Sequence, residues 1–450
     1  FDASKSFNGI ENVPTKAITM GVRTIFNAKR IIVMAWGLHK SLIVKRSVEN
    51  NVTSLIPTTY LQNHKNTTLV LDNESASELT RFKTPWLVST CDWIDSMKRR
   101  AIVWLCETTG KSILKLTDED YNKNGLSDLL ALEGSSYDLN INMFNHFQNT
   151  ITGWPGGKPG ADDSTRPERK SPNSKRVIIF SPHPDDDVVS MGGTFDRLVS
   201  QGHEVHIAYQ VKGNIAVSDH DALKFIEVSK DMFKNDSKVP VSELIKELKN
   251  NKPDKIDSQA VRDLKGFIRK REAIAATRYI GIPDSNTHFM NLPFYDTGRI
   301  KKNPPTKKDV LITASLIKKI KPHQIFAAGD LEDPHGTHKV CLDVILDALD
   351  TLKGEKFIKD CWLWLYRGAW LDWDVHDIDM AVPMSPAQVL RKRKAIFFHQ
   401  TQKDGVMFQG QDLREFWVRA EERNSETAEK YKKMGLADYA AIESFKRHYY

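Results

Sequence analysis

Cysteine is scarce in this chain: Cys91, Cys106, Cys341 and Cys361 are the only four among 450 residues, and no two form a Cys-x-x-Cys pair. That argues against a disulfide framework and fits the reduced thiols of a cytoplasmic protein. Long apolar runs are lacking too. None approaches the roughly 20 residues of a membrane helix, so no membrane span is expected. Nor does charge of one sign prevail: 65 Lys and Arg stand against 58 Asp and Glu, interspersed along the chain. The most basic stretches, 98–100, 265–271 and 391–394, fall in or beside helical patterns and read as wet helix faces. No nucleic-acid partner is expected on that footing. Internal repeats and a signal peptide are also absent. The chain opens on Phe1 rather than Met, which leaves a targeting signal open.

What is present is strand–helix alternation. Residues 1–105 read as α/β. A helical spacing over 17–26 precedes a strand at 30–35 that ends at Gly37. Helical periodicity follows over 40–49 and 57–62, and a second strand covers 67–71. Two strands are too few for a self-sufficient doubly wound sheet. The region is therefore expected to be the back half of a domain whose front half lies elsewhere, and its apolar edges are expected to need further residues or a partner copy as cover. Residues 106–150 are mixed. Residues 151–175, rich in Gly, Pro, Asp and Ser, read as a linker, so 106–175 forms a connecting region. From Arg176 the alternation resumes, with strands at 176–180, 205–209, 288–292, 324–328 and 361–366. Helices are expected at about 190–201, closed by Gly202, and at 220–234, 240–249, 256–280, 307–320 and 337–352. A charged helical tail begins near 385. Residues 176–450 are thus expected to form a Rossmann-like, mostly parallel sheet with helices on both faces.

Two segments of that region carry chemistry. The first is His183-Pro-Asp185-Asp186-Asp187, between the apolar run Val177-Ile-Ile-Phe180 and a helical pattern. The second is Asp333-Pro-His335-Gly-Thr-His338, which also follows a strand and precedes a helix. Parallel strands end at one edge, so both loops can converge there. A catalytic zinc takes three protein ligands and keeps one position open. His183, Asp186 and His338 can supply two imidazoles and a carboxylate. Asp185 would remain as a base for water, His335 as a cation or proton donor, and Asp187 as an orienting group behind the ligands. The plainer alternative is that the three aspartates only favour a helix N-terminus.

These residues resemble the PIG-L/LmbE-type zinc-dependent N-deacetylases over 176–402. That family has an apolar strand, Ala-His-Pro-Asp-Asp-Glu, a Gly-Gly pair and a distal Pro-His-x-x-His. Here they read Pro182-His183-Pro184-Asp185-Asp186-Asp187, Gly192-Gly193 and Pro334-His335-Gly336-Thr337-His338. The resemblance implies His183, Asp186 and His338 as ligands of Zn2+ (with Fe2+ an alternative), Asp185 as general base, and His335 as general acid or oxyanion stabiliser. It implies removal of an acetyl group from an N-acetylglucosamine-type amino sugar or its conjugate. Asp187 replaces the usual Glu. Arg269 with Glu272, and His399 to Gln402, match further family elements more loosely. Asn214, Asn291, Tyr295, Arg367 and Trp370 lie near strand ends and are candidates for a sugar pocket, although each is also ordinary loop or core material.

Residues 1–86 resemble something else, the C-terminal part of glucosamine-6-phosphate deaminases. The likeness runs through Val13-Pro-Thr-Lys-Ala-Ile-Thr-Met-Gly-Val22, residues 31–40, Val52 to His64, Leu69 to Asp72 and Glu78 to Thr84. It implies Lys40, after Gly37-Leu-His, as a sugar-phosphate contact, and a homo-oligomer formed through the N-terminal domain. The family's catalytic Asp, ring-opening His and Gly-rich phosphate loop have no counterpart in these residues. Deamination in a parent protein is thus one alternative function, and a non-catalytic sugar-binding module is another.

Overall fold

The computed structural model describes residues 13–161, 164–232, 241–250, 256–298, 301–331, 333, 336–368, 370–403 and 414–450. They divide into two compact units, one of residues 14–144 and one of residues 145–450 with 1–13.

In the 14–144 unit, strands β1 (Ile31–Ala35) and β2 (Thr67–Leu71) pair in parallel, Ile31 opposite Thr67. The helix expected over 17–26 is confined to Val22–Phe26, and the 57–62 helix is a 3-10 helix, Pro57–Asn63, opened by its proline. The stretch that reads as mixed is helical: Asp95–Thr109, Asp118–Lys123, Ser127–Glu133 and Ser136–Thr150. These helices bury Ile102, Leu105, Ile113, Tyr121, Leu126 and Leu129. The small sheet is less well covered. On β1 and just beyond it, Ile32, Met34 and Trp36 are each more than half exposed.

The 145–450 unit is built on a seven-stranded sheet. Its strands are β3 (Arg176–Ser181), β4 (Glu204–Tyr209), β5 (Thr287–Phe289), β6 (Gln324–Ala328), β7 (Trp362–Tyr366), β8 (Met380–Met384) and β9 (Ala441–His448). They lie in the order β5-β4-β3-β6-β7-β9-β8. The first five are mutually parallel, and β9 pairs antiparallel with both β7 and β8. The chain therefore steps outward from β3 to β5, returns to β6 beside β3, and steps outward the other way to β7. Right-handed crossovers then place the helices of the two halves on opposite faces. The return creates a crevice between the carboxyl ends of β3 and β6, the position at which such sheets hold ligands. The core beneath it contains Val177, Ile179, Phe195, Ile207, Phe326, Trp364 and Phe445.

Three sequence expectations are corrected here. Strand β5 stops at Phe289, and Asn291, at φ 48°, breaks the extended backbone although Met290 and Leu292 still donate to the Tyr209 and Gln210 carbonyls. The helix expected from about 190 begins at Asp186 and runs to Ser200, with a non-helical break at Met191. Glu443 accepts the N–H groups of Gly193 and Thr194 that this break releases, at 2.9 and 2.6 Å. A Cβ at Gly193 would lie 2.2 Å from Met384 Sδ, so any larger residue there would displace that side chain. Finally, the charged tail is helical over Pro386–Ile396 and Phe416–Lys433 but ends in β9, an inserted strand rather than more helix. Gly202 does follow the helix in the left-handed region, at φ 81°.

Candidate metal centre

Strand β3 ends in Ser181 and delivers Pro182-His183-Pro184 to the crevice. The helix starting at Asp186 places Asp186 and Asp187 in its first turn. Across the crevice, β6 runs into Gly329, Asp330 and Asp333, and the helix Thr337–Thr351 carries His338 in its first turn. Asp333 caps that helix, accepting N–H bonds from Thr337 at 2.7 Å and His338 at 3.1 Å. Both acidic turns therefore do the bland work of helix starts, and that work also aims His338 at Asp186.

Donor atoms of His183, Asp186 and His338 all lie within 4.8 Å of one another. Asp186 Oδ2 is 3.2 Å from His183 Nδ1 and 3.2 Å from His338 Nε2. Two ligands about 2.0–2.1 Å from a tetrahedral zinc would stand about 3.3 Å apart. His338 Nδ1 lies 2.7 Å from the carbonyl oxygen of Asp330 and must donate its hydrogen there. In the neutral ring, Nε2 then presents a lone pair to a carboxylate oxygen, which is repulsive unless a cation stands between them. The electrostatics agree. Burial would lower the pKa of His338, but Asp186, Asp333 and Asp330 outweigh it and push the ring up to about 10. Burial would raise Asp186, but His338 and His183 hold it well below the usual carboxylate range. The cluster attracts positive charge, and its two imidazoles and one carboxylate fit a divalent metal such as zinc or iron(II).

Asp185 stands beside the cluster. Its Oδ1 accepts Arg269 Nη2 at 2.8 Å. Burial pushes its carboxyl above the usual range, and Arg269 pulls the other way. Arg269 is 1% exposed. Its Nε and Nη1 have no hydrogen-bond partner among the described residues. Gly213, at φ 65°, lets the chain pass: a Cβ there would lie 3.0 Å from Pro184 and 3.3 Å from Arg269 Nε. Glu272, one helical turn on, accepts the N–H and hydroxyl of Thr401, both at 2.8 Å. The two loosely matching elements, 269–272 and 399–402, are thus brought together behind Asp185. Asp187 is fully buried, with Tyr209 donating to it at 3.0 Å and Ser181 at 3.2 Å. Ser181 is also bonded to the His183 carbonyl, so Asp187 acts on that turn through it. Burial pushes Asp187 up to about 7.

The remaining sequence candidates divide. The Tyr295 ring packs edge-on to His183 at 6.2 Å, within reach of the centre. Asn214 is buried in the turn after Gly213, and Asn291 sits at φ 48° beyond β5. Arg367 is committed to structure: it donates to the Gly329 carbonyl at 2.8 Å and lies 3.7 Å from the Trp373 ring. Trp370 donates its N–H to Asp330, and its ring packs on Phe416. His335 lies outside the described residues, as does Pro334. Lys40 belongs to the 14–144 unit, at the end of the turn Leu38–Lys40 after β1. Asp330 is the residue that sequence reading missed. Its carbonyl fixes His338 and its carboxylate holds the N–H groups of Trp370 and Leu371. The only signal was an aspartate two residues past an apolar strand.

Comparison with known proteins finds relatives of both parts of the chain. Residues 178–349 match the GlcNAc-PI de-N-acetylase (PIG-L) family. Over 453 aligned positions the chain is 52% identical to a glucosamine-6-phosphate deaminase-like protein of Bacteroides thetaiotaomicron, covering 99% of this chain and 68% of that one. The N-terminal part is 40% identical over 80 residues to the glucosamine-6-phosphate deaminase of Mycoplasma mycoides, covering 18% of this chain and 33% of that enzyme. Among solved structures, the N,N'-diacetylchitobiose deacetylase of Pyrococcus horikoshii aligns at TM-score 0.38 and 18% identity, over 61% of this chain and 84% of that one. No helix among the described residues is long and apolar enough to cross a membrane. The chain belongs to the family of the Bacteroides deaminase-like protein, and its residues 178–349 are a PIG-L domain.

Proposed function

We propose that the 145–450 unit is a metal-dependent N-deacetylase acting on an N-acetylglucosamine-type amino sugar. The observation that carries this reading is the convergence of His183, Asp186 and His338 at the carboxyl edge of β3 and β6, within a PIG-L segment. A divalent cation held by these three residues, zinc or iron(II), supplies Lewis acidity at the acetyl carbonyl and lowers the pKa of water. The protein's own groups do the rest. Asp185 takes a proton from the attacking water, and burial makes its carboxyl more basic than an exposed one. Arg269 keeps that carboxylate oriented through the bond to Oδ1. Asp187 steadies the His183 turn through Ser181. Tyr295, edge-on to His183, and Asn214, in the turn after Gly213, are assigned to contact the sugar ring, and His335 is assigned the proton delivered to the leaving amine.

The test is acetate release from N-acetylglucosamine and its 6-phosphate by the metal-loaded protein, with ammonia measured in parallel. Asp185→Ala is expected to retain metal by elemental analysis while losing at least about 100-fold in rate. Unchanged acetate release would remove Asp185 from its role. Ammonia release from glucosamine 6-phosphate, added as a separate substrate, without acetate release from the acetylated sugars would favour the deaminase reading that the N-terminal likeness suggests for the whole protein.

A further inference from the structure

A second cavity, of about 570 Å3, lies in the 145–450 unit at the other end of the sheet. Trp362, the first residue of β7, forms part of its wall, whereas the metal centre lies beyond the carboxyl ends of the parallel strands. The four residue steps from Trp362 to Tyr366 alone span about 13 Å. Two indoles (Trp362 and Trp364), the Tyr449 ring and the guanidinium groups of Arg166 and Arg447 line it.

The walls are unbalanced in hydrogen bonding and in charge. Arg447 lies 3.8 Å from the Trp362 ring centroid, and Arg169 lies 4.8 Å from the same ring. Stacking stabilises the cations but satisfies no N–H. Among the described residues, the buried Nε and Nη1 of Arg447 and the buried Nε1 of Trp364 have no hydrogen-bond partner. Trp364 is 1% exposed, so water does not reach that donor from outside. Orphaned buried donors are uncommon, and several on one wall point to an acceptor that comes from elsewhere. Three arginines gather about Trp362. Asp360 takes Arg169 at 3.5 Å, and Asp379 accepts the backbone N–H of Arg447 at 2.8 Å rather than its guanidinium. Burial and the nearby Arg169 both depress Arg447, which falls to about 10.

We propose that this cavity binds a small phosphomonoester, with Arg447 and Arg166 holding the phosphoryl oxygens and the Trp362 and Tyr449 rings against its carbon body. A phosphomonoester is acceptor-rich and carries roughly −1.5 to −2 charge near neutrality, which matches two guanidinium groups better than one carboxylate does. Arginine's planar fork suits phosphoryl oxygens. The volume is that of a small-molecule site and far exceeds a bare phosphate, and the aromatic walls suit the carbon body of a sugar-sized ligand.

Calorimetry on the full chain with glucose 6-phosphate, glucose and inorganic phosphate tests this. Glucose 6-phosphate is expected to bind, glucose not to, and phosphate to bind at least tenfold more weakly than the sugar phosphate. EDTA should leave binding unchanged, because the metal centre is not involved. Arg447→Met should weaken binding at least tenfold, and Arg166→Met at least threefold. Arg166 lies on an exposed segment, so its variant decides the matter if Arg447→Met does not fold. The proposal is overturned by absence of glucose 6-phosphate binding, by binding that survives both substitutions, by loss in EDTA, or by equal binding of phosphate, which would mark a general anion site.

Discussion

At the scale of single residues, the site depends on one ion pair that motif reading barely touches. Asp185 is buried and would keep its proton were it alone, and Arg269 is the opposing cation. The sign of its influence is fixed. Arg269 favours the ionised carboxylate, so removing it raises the pKa of Asp185. A base works only when deprotonated, so the acid limb of the pH–rate profile should move to higher pH in Arg269→Met, with less displacement in Arg269→Lys. The same change leaves a buried carboxylate unpaired, at about 3–5 kcal/mol of stability. Rate against pH for the metal-loaded variants checks the first effect and urea unfolding the second. An acid limb that stays in place in Arg269→Met would show that Asp185 is not the titrating base. The three aspartates themselves were legible, and so was the distal histidine. Arg269 was legible only loosely, through its spacing to Glu272, because one arginine in the basic run Arg269-Lys-Arg271 looks like its neighbours until the helix Gln259–Ile280 shows which of them is buried.

Among elements, strands β8 and β9 both escape the sequence reading, and in β9 the periodicity itself is hidden. Its alternate positions Ala441, Glu443, Phe445 and Arg447 mix apolar with charged residues, so no period-2 pattern stands out. The charge is there for a reason. Glu443 accepts two N–H groups from the broken helix at Met191 and pairs with Lys392 at 2.8 Å, both side chains 1% exposed. Lys392 also donates to Asn424 at 2.8 Å, so helix Pro386–Ile396, helix Phe416–Lys433, β9 and the helix Asp186–Ser200 meet at one ion pair. Such a pair adds little net stability over an apolar equivalent, but breaking it is costly. Lys392→Met should destabilise the unit by about 3–5 kcal/mol. Glu443→Gln should cost a similar amount, and the double variant should recover part of the loss, giving a coupling energy of about 1–3 kcal/mol in a double-mutant cycle. Strictly additive losses would mean that the two groups act independently. Propensity reading sees a charged tail here because it has no access to the partner that makes a buried glutamate tolerable.

The whole molecule shows why the parallel strands were readable and the division of the chain was less so. Strands β3, β6 and β7 are buried on both faces and therefore appear as nearly unbroken apolar runs, and β4 is interrupted by His206. The sheet order, which sets the crevice between β3 and β6, rests on pairings between distant segments that no local pattern carries. The boundary near residue 144 falls inside the continuous helix Ser136–Thr150, so no turn signal marks it. Residues 151–175 look like a free linker in composition. Yet Thr152 bonds to the Ala381 carbonyl at 2.9 Å, Lys175 to the Gly156 carbonyl at 2.7 Å, and Thr152 to the buried Glu168 at 2.8 Å. That segment is part of the larger unit's packing. The core of the larger unit is drawn from residues 177–445, and the candidate metal ligands His183, Asp186 and His338 lie wholly within it. A fragment of residues 136–450 keeps the helix Ser136–Thr150 intact and should fold cooperatively on its own. Its metal content and its kcat/KM for acetate release should stay within about threefold of the full chain's, since the candidate ligands and the core beneath them all lie within it. The complementary piece, residues 14–135, should behave differently. With Ile32, Met34 and Trp36 more than half exposed on a two-stranded sheet, it should self-associate at micromolar concentration, as isolated sheet edges do. Light scattering of the two fragments, beside the acetate assay, separates this outcome from one cooperative molecule. In that case the larger fragment would lose metal, activity and its unfolding transition together.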